Sequence, residues 1–153
     1  AVLKEEIEKL EPGDVYVEIG VDEGRSARVA HEYAKEGVYK VWIDIHDPTH
    51  TPGLNRAEFM EQEKMVGLGK RGFYVHGDAD EFAFLFEYVD LLFIDGHHSY
   101  EDVKKNHDMW IHKVIDGTVL FHDYDHPGVK EFIDTTYGNK AEILHGKIAR
   151  IRT

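Results

Sequence analysis

The amino-acid sequence predicts an α/β fold, a three-layer sandwich built around a mostly parallel sheet. The first observation is a series of short runs rich in Val, Ile and aromatic residues, over 15–20, 38–45, 72–77, 89–96 and 118–124. Runs that are apolar on both faces and too short for helices are typical of buried parallel strands. The second observation is that a loop and an amphipathic stretch separate successive runs. This strict alternation predicts helices on both faces of the sheet.

The amphipathic stretches predict the helices that cover the sheet. Leu3, Ile7 and Leu10 lie at helical spacing in an opening helix that stops at Pro12-Gly13. Further helices are predicted over 26–35, 55–65, 80–88 and 99–114, and a last one from Pro127. The tail over 141–153 predicts two short strands around His145-Gly146, so the sheet is expected to include an antiparallel C-terminal strand.

Length and composition restrict the number of domains and the partners. A chain of 153 residues fits one domain, residues 1–153, because domains most often have roughly 100–150 residues. With 18 Lys and Arg against 30 Asp and Glu, its formal net charge is −12. Nucleic acid and anionic membranes require a basic face, so neither is expected as a partner. The chain has no cysteine and no apolar run near the ~20 residues of a membrane span, which is consistent with a cytoplasmic protein.

Each apolar run ends in or next to a carboxylate, and this repetition predicts a ligand site. The five residues are Glu18, Asp44, Asp78, Asp95 and Asp123. In an open α/β sheet, ligands bind beyond the carboxyl ends of the strands. Any one of these side chains could instead cap the following helix, but capping is a poor explanation for all five at one edge. Their mutual repulsion favours a ligand with cationic groups and hydroxyls, or a metal ion.

The turn after the first strand favours a nucleoside ligand. Gly20 lets the chain turn sharply, Gly24 permits close backbone approach, and Ser26 lies where helix N–H groups open towards an anion. Asp44 ends the second strand, where an acidic residue in nucleotide-binding folds accepts hydrogen bonds from ribose hydroxyls. Asp22 replaces the second glycine of the nicotinamide fingerprint, and its charge disfavours a pyrophosphate. A positively charged nucleoside without phosphates, such as S-adenosylmethionine, fits the turn better.

Four segments together carry a family resemblance. They are VEIGVDEGRSA (17–27), HGDADE (76–81), LLFIDGHHSYEDVKKNHDMW (91–110) and TVLFHDYDHPGV (118–129). In order and spacing they resemble class I S-adenosylmethionine-dependent methyltransferases, most closely the small-molecule branch called methyltransferase domain 24. The phrase FIDGHHSYE followed by FHDY is the more specific part, whereas the Gly-rich turn is common among α/β folds. The resemblance implies a Rossmann-like sandwich that transfers methyl groups to a small molecule.

The resemblance also implies cofactor-binding roles for residues at the strand ends. The residues that would shape the pocket for the methionine part, or meet its carboxylate, are Glu18, Gly20, Gly24 and Ser26. Asp44 would hold the ribose hydroxyls, with Ile45 against the adenine. Asp78 and Ala79 would meet the adenine edge. Asp95 would lie at the sulfonium end of the cofactor, where methyl transfer takes place.

A metal site is a further implication of the resemblance. Some natural-product O-methyltransferases of this kind bind a divalent ion through an acidic residue after the fourth strand and an acidic pair after the fifth. Asp95 and Asp123 match two of these positions, and His122 replaces the third carboxylate. Oxygen ligands favour Mg²⁺ or Ca²⁺, whereas the imidazole of His122 would shift the preference towards Mn²⁺ or a later metal. From the residues alone, His122 could equally be a core residue bonded to a backbone carbonyl.

Methyl transfer to a hydroxyl requires an aligned nucleophile and a base. His98 occupies the histidine position of the family phrase close to Asp95, and an imidazole with its usual pKa of ~6.5 suits the proton transfer. We therefore predict His98 and Asp95 as catalytic residues, and a small-molecule hydroxyl as the acceptor. His98 could instead cap or solvate the loop before Ser99.

Alternatives from other functional classes remain open at this point. A metal-dependent hydrolase would use the cluster Asp95, His97, His98, His122 and Asp123. That alternative leaves Asp44 and the Gly-rich turn without a role. A relative that binds the cofactor without transferring methyl groups, or a pure binding module, is a third class. Because few residues precede the first strand, the acceptor side is expected to be open or to be completed by a second copy in a homo-oligomer.

Overall fold

One seven-stranded sheet forms the centre of the protein in a computed structural model that describes residues 1–22, 24–45 and 72–153. The strands are β1 (Val15–Ile19), β2 (Tyr39–Asp44), β3 (Gly72–His76), β4 (Leu91–Ile94), β5 (Thr118–Phe121), β6 (Glu142–Leu144) and β7 (Ile148–Arg152). Their order is β3-β2-β1-β4-β5-β7-β6. Strands β1 to β5 pair in parallel, whereas β7 is antiparallel to both β5 and β6. The predicted mostly parallel sheet with an antiparallel C-terminal strand is therefore confirmed.

Helices cover both faces of this sheet. Within the described ranges they are α1 (Val2–Ile7), α2 (Arg25–Tyr33), α3 (Ala79–Phe82), α4 (Tyr100–Trp110) and α5 (Pro127–Thr136). Side chains of α1 and α2, such as Ile7 and Ala30, pack with Trp42 on one face. Helices α3, α4 and α5 cover the other face, where Trp110 and Phe132 are fully buried. The predicted three-layer sandwich is confirmed.

The central strands β1, β4 and β5 are buried because their residues alternate between two apolar cores, whereas the edge strands β3 and β6 are partly exposed. In β1, Val17 belongs to the core under α3, α4 and α5, whereas Tyr16 belongs to the core under α1 and α2. Two helices begin at residues that favour a helix start. The Ser99 hydroxyl accepts a hydrogen bond from the N–H of Asp102 at 3.1 Å, and Pro127 occupies the first turn of α5.

One predicted helix is clearly shorter in the structure and another lies outside the described residues, while the opening helix and the helix predicted over 99–114 end a few residues early, at Ile7 and Trp110. The helix expected over 80–88 is shorter, because α3 passes into a 3₁₀ turn (Ala83–Leu85) and the chain then becomes extended at Phe86. The Phe86 ring lies 5.1 Å from the Trp110 ring, so packing against α4 overrides helix continuation. The helix predicted over 55–65 lies outside the described residues. None of the described helices is long and apolar enough to cross a membrane.

The sheet order fixes where a ligand can bind. Because β1 lies between β2 and β4, the chain reverses its direction of winding at the pair of strands β1 and β4. The crevice outside the carboxyl ends of the strands at such a switch point is where open α/β sheets bind ligands. The carboxyl ends of β1 and β4 are aligned, since Ile19 pairs with Ile94.

Candidate active site

The turn after β1 brings two loops of the sheet edge into contact. Gly20 has a φ of 85°, and a Cβ built there would lie 2.3 Å from the backbone oxygen of Asp95 and 2.7 Å from Cα of Gly96. Asp22 and Gly24 also have positive φ, 44° and 71°. The loops after β1 and β4 therefore touch at the switch point, and the backbone there requires a glycine at position 20.

Glu18 lies beneath this turn and is completely buried in β1. The Tyr16 hydroxyl donates to its Oε2 at 2.7 Å, and the Ser26 hydroxyl donates to its Oε1. Burial raises the pKa of Glu18 to about 8; the two hydroxyl hydrogen bonds oppose the rise, and the charges of Asp95 and Asp44 add to it. Through the hydrogen bond from Ser26, Glu18 connects β1 to the first turn of α2.

Asp44 ends β2 and holds the same turn through its carboxylate. Its Oδ2 accepts hydrogen bonds from the N–H groups of Val21 at 2.7 Å and Asp22 at 3.0 Å. The two strands run in register up to the pair Ile19 and Ile43, which brings the end of β2 beside the turn. A carboxylate has about four acceptor positions, so Asp44 can support the turn and also accept hydrogen bonds from a ligand.

A cavity of about 760 Å³ opens at this edge of the sheet. Its size falls within the roughly 300–1,000 Å³ of small-molecule sites. The predicted site residues that line it are Gly20, Ser26, Asp44, Ile45, Asp78, Ala79, Asp95, His98 and His122. The remaining three, Glu18, Gly24 and Asp123, do not line it. Glu18 and Gly24 belong to the frame of the β1 turn, and Asp123 contacts two of the lining histidines.

Lys105 is a cavity residue that sequence reasoning missed. Its Nζ lies 3.0 Å from Oδ2 of Asp78 and 2.9 Å from Oδ2 of Asp80. Asp78 also begins α3, because its Oδ1 accepts a hydrogen bond from the N–H of Asp80 at 3.0 Å. Helical spacing is the signal that could have identified the lysine, since Asp102, Lys105 and Asn106 share the face of α4 that lines the cavity.

Two histidines and two aspartates from the loops after β4 and β5 form a connected cluster of polar side chains. Nε2 of His98 lies 2.9 Å from Oδ2 of Asp123, and Oδ1 of Asp123 lies 3.2 Å from Nδ1 of His122. The same nitrogen of His122 lies 3.1 Å from Oδ1 of Asp95. The adjacent Asp95 carboxylate raises the pKa of His122, partial burial opposes the rise, and the charge of Asp123 adds to it. His98 is therefore paired with Asp123, while Asp95 contacts His122.

Three of these four residues lie close enough together to share a metal ion. Asp95, His122 and Asp123 each offer one ligand atom, and these atoms all lie within 4.8 Å of one another. Two carboxylates and one imidazole suit a divalent cation such as Mg²⁺ or Mn²⁺. The same donor atoms also form a self-contained ion-paired cluster when His122 is protonated. The arrangement is therefore chemically compatible with either state.

Comparison with known proteins places this geometry in a family. The sequence profile of a methyltransferase domain, methyltransferase domain 24, matches residues 17–124. A solved apo structure of CalS11, described as a TDP-rhamnose 3'-O-methyltransferase of calicheamicin biosynthesis, is similar with a TM-score of 0.70 and 18% identity. That match covers 99% of this chain and 75% of CalS11. No curated protein sequence matches the chain.

Two further solved structures have the same fold. A second CalS11 structure, described as a calicheamicin methyltransferase, gives a TM-score of 0.68 at 18% identity and covers 99% of this chain and 76% of its own. A protein from Corynebacterium glutamicum gives a TM-score of 0.69 at 13% identity, with coverages of 99% and 78%.

The profile match spans more than two thirds of the 153 residues, whereas the solved structures, at these identities, establish the fold alone. Nothing in the comparisons supports the metal-dependent hydrolase alternative. The resemblance seen in the four sequence segments is confirmed: the chain belongs to the methyltransferase domain 24 family and is a class I S-adenosylmethionine-dependent methyltransferase.

Proposed function

We propose that this domain transfers the methyl group of S-adenosylmethionine to a hydroxyl oxygen of a small molecule. The observation that carries the proposal is the close pair formed by His98 and Asp123, because His98 lines the same cavity as the β1 turn and Asp44. An imidazole held by a carboxylate is suited to take a proton from a hydroxyl. CalS11, a protein with the same fold, is described as an O-methyltransferase, which favours oxygen as the acceptor atom.

On the cofactor side of the cavity, the task of the protein is to bind and orient S-adenosylmethionine. Asp44 would accept hydrogen bonds from the ribose hydroxyls, Ile45 would lie against the adenine, and Asp78 and Ala79 would lie at its edge; all four residues line the cavity. The β1 turn at Gly20 and Gly24, with Ser26 at the start of α2, receives the methionine part. Glu18 acts on this part indirectly, through its hydrogen bond to Ser26. When bound, the cofactor supplies a methyl group whose leaving group is a neutral thioether, so the protein does not need to stabilise a departing charge.

On the acceptor side, the protein aligns a hydroxyl and removes its proton. His98 takes the proton, and Asp123 orients the imidazole and stabilises its charged form, as the aspartate does in other Asp–His pairs. Asp95 lines the cavity and would place negative charge next to the sulfonium of the bound cofactor. Alignment and proton removal are the two tasks left to the protein, because the methyl donor is already activated.

The cofactor side is tested by the variant Asp44→Asn. The amide oxygen of asparagine can still accept from the N–H groups of Val21 and Asp22, but the second carboxylate oxygen becomes a donor and the charge is lost. We expect the affinity for S-adenosylhomocysteine, measured by titration calorimetry, to fall about tenfold to a hundredfold, the range for a charge-assisted hydrogen bond.

Asp90→Asn is the matched control. The Oδ2 of Asp90 accepts from the N–H of Val15 at 2.8 Å, at the start of β1, and Asp90 does not line the cavity. This variant is expected to keep the wild-type affinity. If folded Asp44→Asn binds S-adenosylhomocysteine as tightly as the wild type, Asp44 does not bind the ribose. Tighter binding of NAD than of S-adenosylhomocysteine by the wild type would contradict the proposed function as a whole.

We also propose that Asp95, His122 and Asp123 hold a divalent cation, Mg²⁺ or Mn²⁺. The proposal is supported by the spacing of their ligand atoms and by the mixed oxygen and nitrogen donor set. A bound cation would lower the pKa of an acceptor hydroxyl near it. The residues named would hold the ion, while His98 remains the group that takes the proton.

Calorimetric titration of the protein with Mg²⁺ or Mn²⁺ alone tests this metal site. We expect one binding event, with Asp95→Asn lowering the metal affinity about tenfold or more because it removes a ligand charge. His97→Ala changes a neighbouring cavity residue outside the trio and is expected to leave metal affinity unchanged. The site is contradicted if millimolar metal gives no binding event, or if Asp95→Asn binds as well as the wild type.

A further inference from the structure

Lys105 connects α4 to the loop after β3. Besides the contacts of its ammonium with Asp78 and Asp80, the neighbouring Asn106 donates from Nδ2 to Oδ1 of Asp80 at 3.0 Å. Asp80 is nearly buried, so its carboxylate is a fixed anchor rather than a mobile surface group. The segment from Asp78 to Asp80 is therefore held from α4 by two side chains at successive positions.

The contacts of Asp78 fix both of its carboxylate oxygens. Oδ1 accepts from the N–H of Asp80, and Oδ2 accepts from the Lys105 ammonium. The hydrogen bond from the N–H of Asp80 is the larger cause, and the bond from the Lys105 ammonium the smaller one, that holds the pKa of Asp78 below its usual range. Asp78 thus remains a carboxylate in a defined orientation at the wall of the cavity.

The strand order indicates which part of a nucleoside faces this carboxylate. If Asp44, at the end of β2, held the ribose, the methionine part would lie towards Gly20 and Asp95 at the ends of β1 and β4, and the base would lie on the opposite side. That side is the end of β3, since β3 pairs with β2 and His76 is opposite Asp44. The 6-amino group of adenine is a hydrogen-bond donor, which a fixed carboxylate at this position can accept.

We propose that Lys105 is a positioning residue that makes the cofactor site selective for adenine, by holding the Asp78 carboxylate as the acceptor for the 6-amino group. The inference rests on the proposed function, because it requires S-adenosylmethionine in this cavity. Lys105 acts through Asp78 and takes no part in methyl transfer.

The adjacent Lys104 provides a matched control on the same helix. Lys104 forms an ion pair with Asp108 one turn further along α4 and does not line the cavity. Both lysines are largely exposed, with 57% of the Lys105 side chain accessible. Exposed ion pairs contribute little to stability, so replacing either lysine is not expected to unfold the protein.

The experiment compares two ligands that differ only at the base edge, S-adenosylhomocysteine and S-inosylhomocysteine, in which oxygen replaces the 6-amino group. Their affinities are measured by calorimetry for the wild type, Lys105→Met, Lys105→Arg and Lys104→Met. We expect Lys105→Met to lose about tenfold in affinity for the adenine ligand. The lost contact is the charge-assisted hydrogen bond between the Asp78 carboxylate and the 6-amino group, because Lys105 no longer holds that carboxylate in place. Its affinity for the inosine ligand should stay within about twofold, so discrimination falls.

The controls have defined outcomes. Lys104→Met should match the wild type, and Lys105→Arg should restore discrimination, because a guanidinium also bridges carboxylates. Equal loss for both ligands in Lys105→Met, or unchanged discrimination, would overturn the role of Lys105 while leaving the proposed function intact. A wild type that binds neither ligand would overturn the proposed function, and this inference with it.

Discussion

Gly20→Ala is expected to abolish binding of S-adenosylhomocysteine and to lower the free energy of unfolding by about 2–5 kcal/mol. Two costs combine at this position. The left-handed backbone, with φ of 85°, disfavours any residue with a Cβ, and that Cβ would lie 2.3 Å from the backbone oxygen of Asp95. Backbone atoms cannot swing aside like the end of a flexible side chain. The loops after β1 and β4 must therefore separate, and residues of both loops line the cavity.

Gly146→Ala separates the two costs. Gly146 also has a left-handed backbone, with φ of 68°, but a Cβ there has nothing within 4 Å. Gly146 lies in the turn between β6 and β7 and does not line the cavity. Its substitution is expected to lower the free energy of unfolding only by the conformational cost of about 1–2 kcal/mol. Urea unfolding and ligand calorimetry measure both variants. If the two alanines cost the same and Gly20→Ala still binds ligand, the loop contact is not required for the site.

The sequence predicted the parts of the fold that depend on local pattern. The apolar runs located strands because a buried parallel strand must be apolar on both faces, as Tyr16 and Val17 show within β1. The residues at strand ends could be placed at one edge of the sheet because parallel strands all end there. The helix over 80–88 was predicted too long because its end depends on Phe86 packing against Trp110, which is distant in sequence.

Pairings within the site could not be predicted in the same way. His98 was expected to work beside Asp95, its near neighbour in sequence, but its carboxylate partner in the structure is Asp123. That contact joins the loops after β4 and β5, and its existence depends on side-chain directions that no sequence spacing reveals. The role of Asp44 in holding the β1 turn is similar, since it depends on the register of β1 and β2.

His98→Ala is expected to lower methyl transfer by about a hundredfold to ten-thousandfold, the usual effect of losing a general base. Affinity for S-adenosylhomocysteine should remain within about twofold, because the contact of His98 is with Asp123 and not with the β1 turn. The measurement is transfer of the labelled methyl group from S-adenosylmethionine to an acceptor chosen from a panel of sugars and phenols. Added imidazole should restore part of the lost activity, since it can supply the missing base in the vacated space.

His126→Ala is the matched control for this prediction. Its ring lies 5.1 Å from the ring of His98, but it does not line the cavity, so its loss is expected to leave turnover nearly unchanged.

Asp123→Asn tests the carboxylate, because asparagine tolerates the left-handed backbone at this position, where φ is 51°. We expect it to lower turnover about tenfold or more, since the imidazole loses the charge that stabilises its protonated form. If His98→Ala keeps full activity, His98 is not the base, and another group takes the proton. If the wild type binds S-adenosylhomocysteine but methylates no hydroxyl in the panel, the result favours the alternative that this protein binds the cofactor without transferring methyl groups to oxygen.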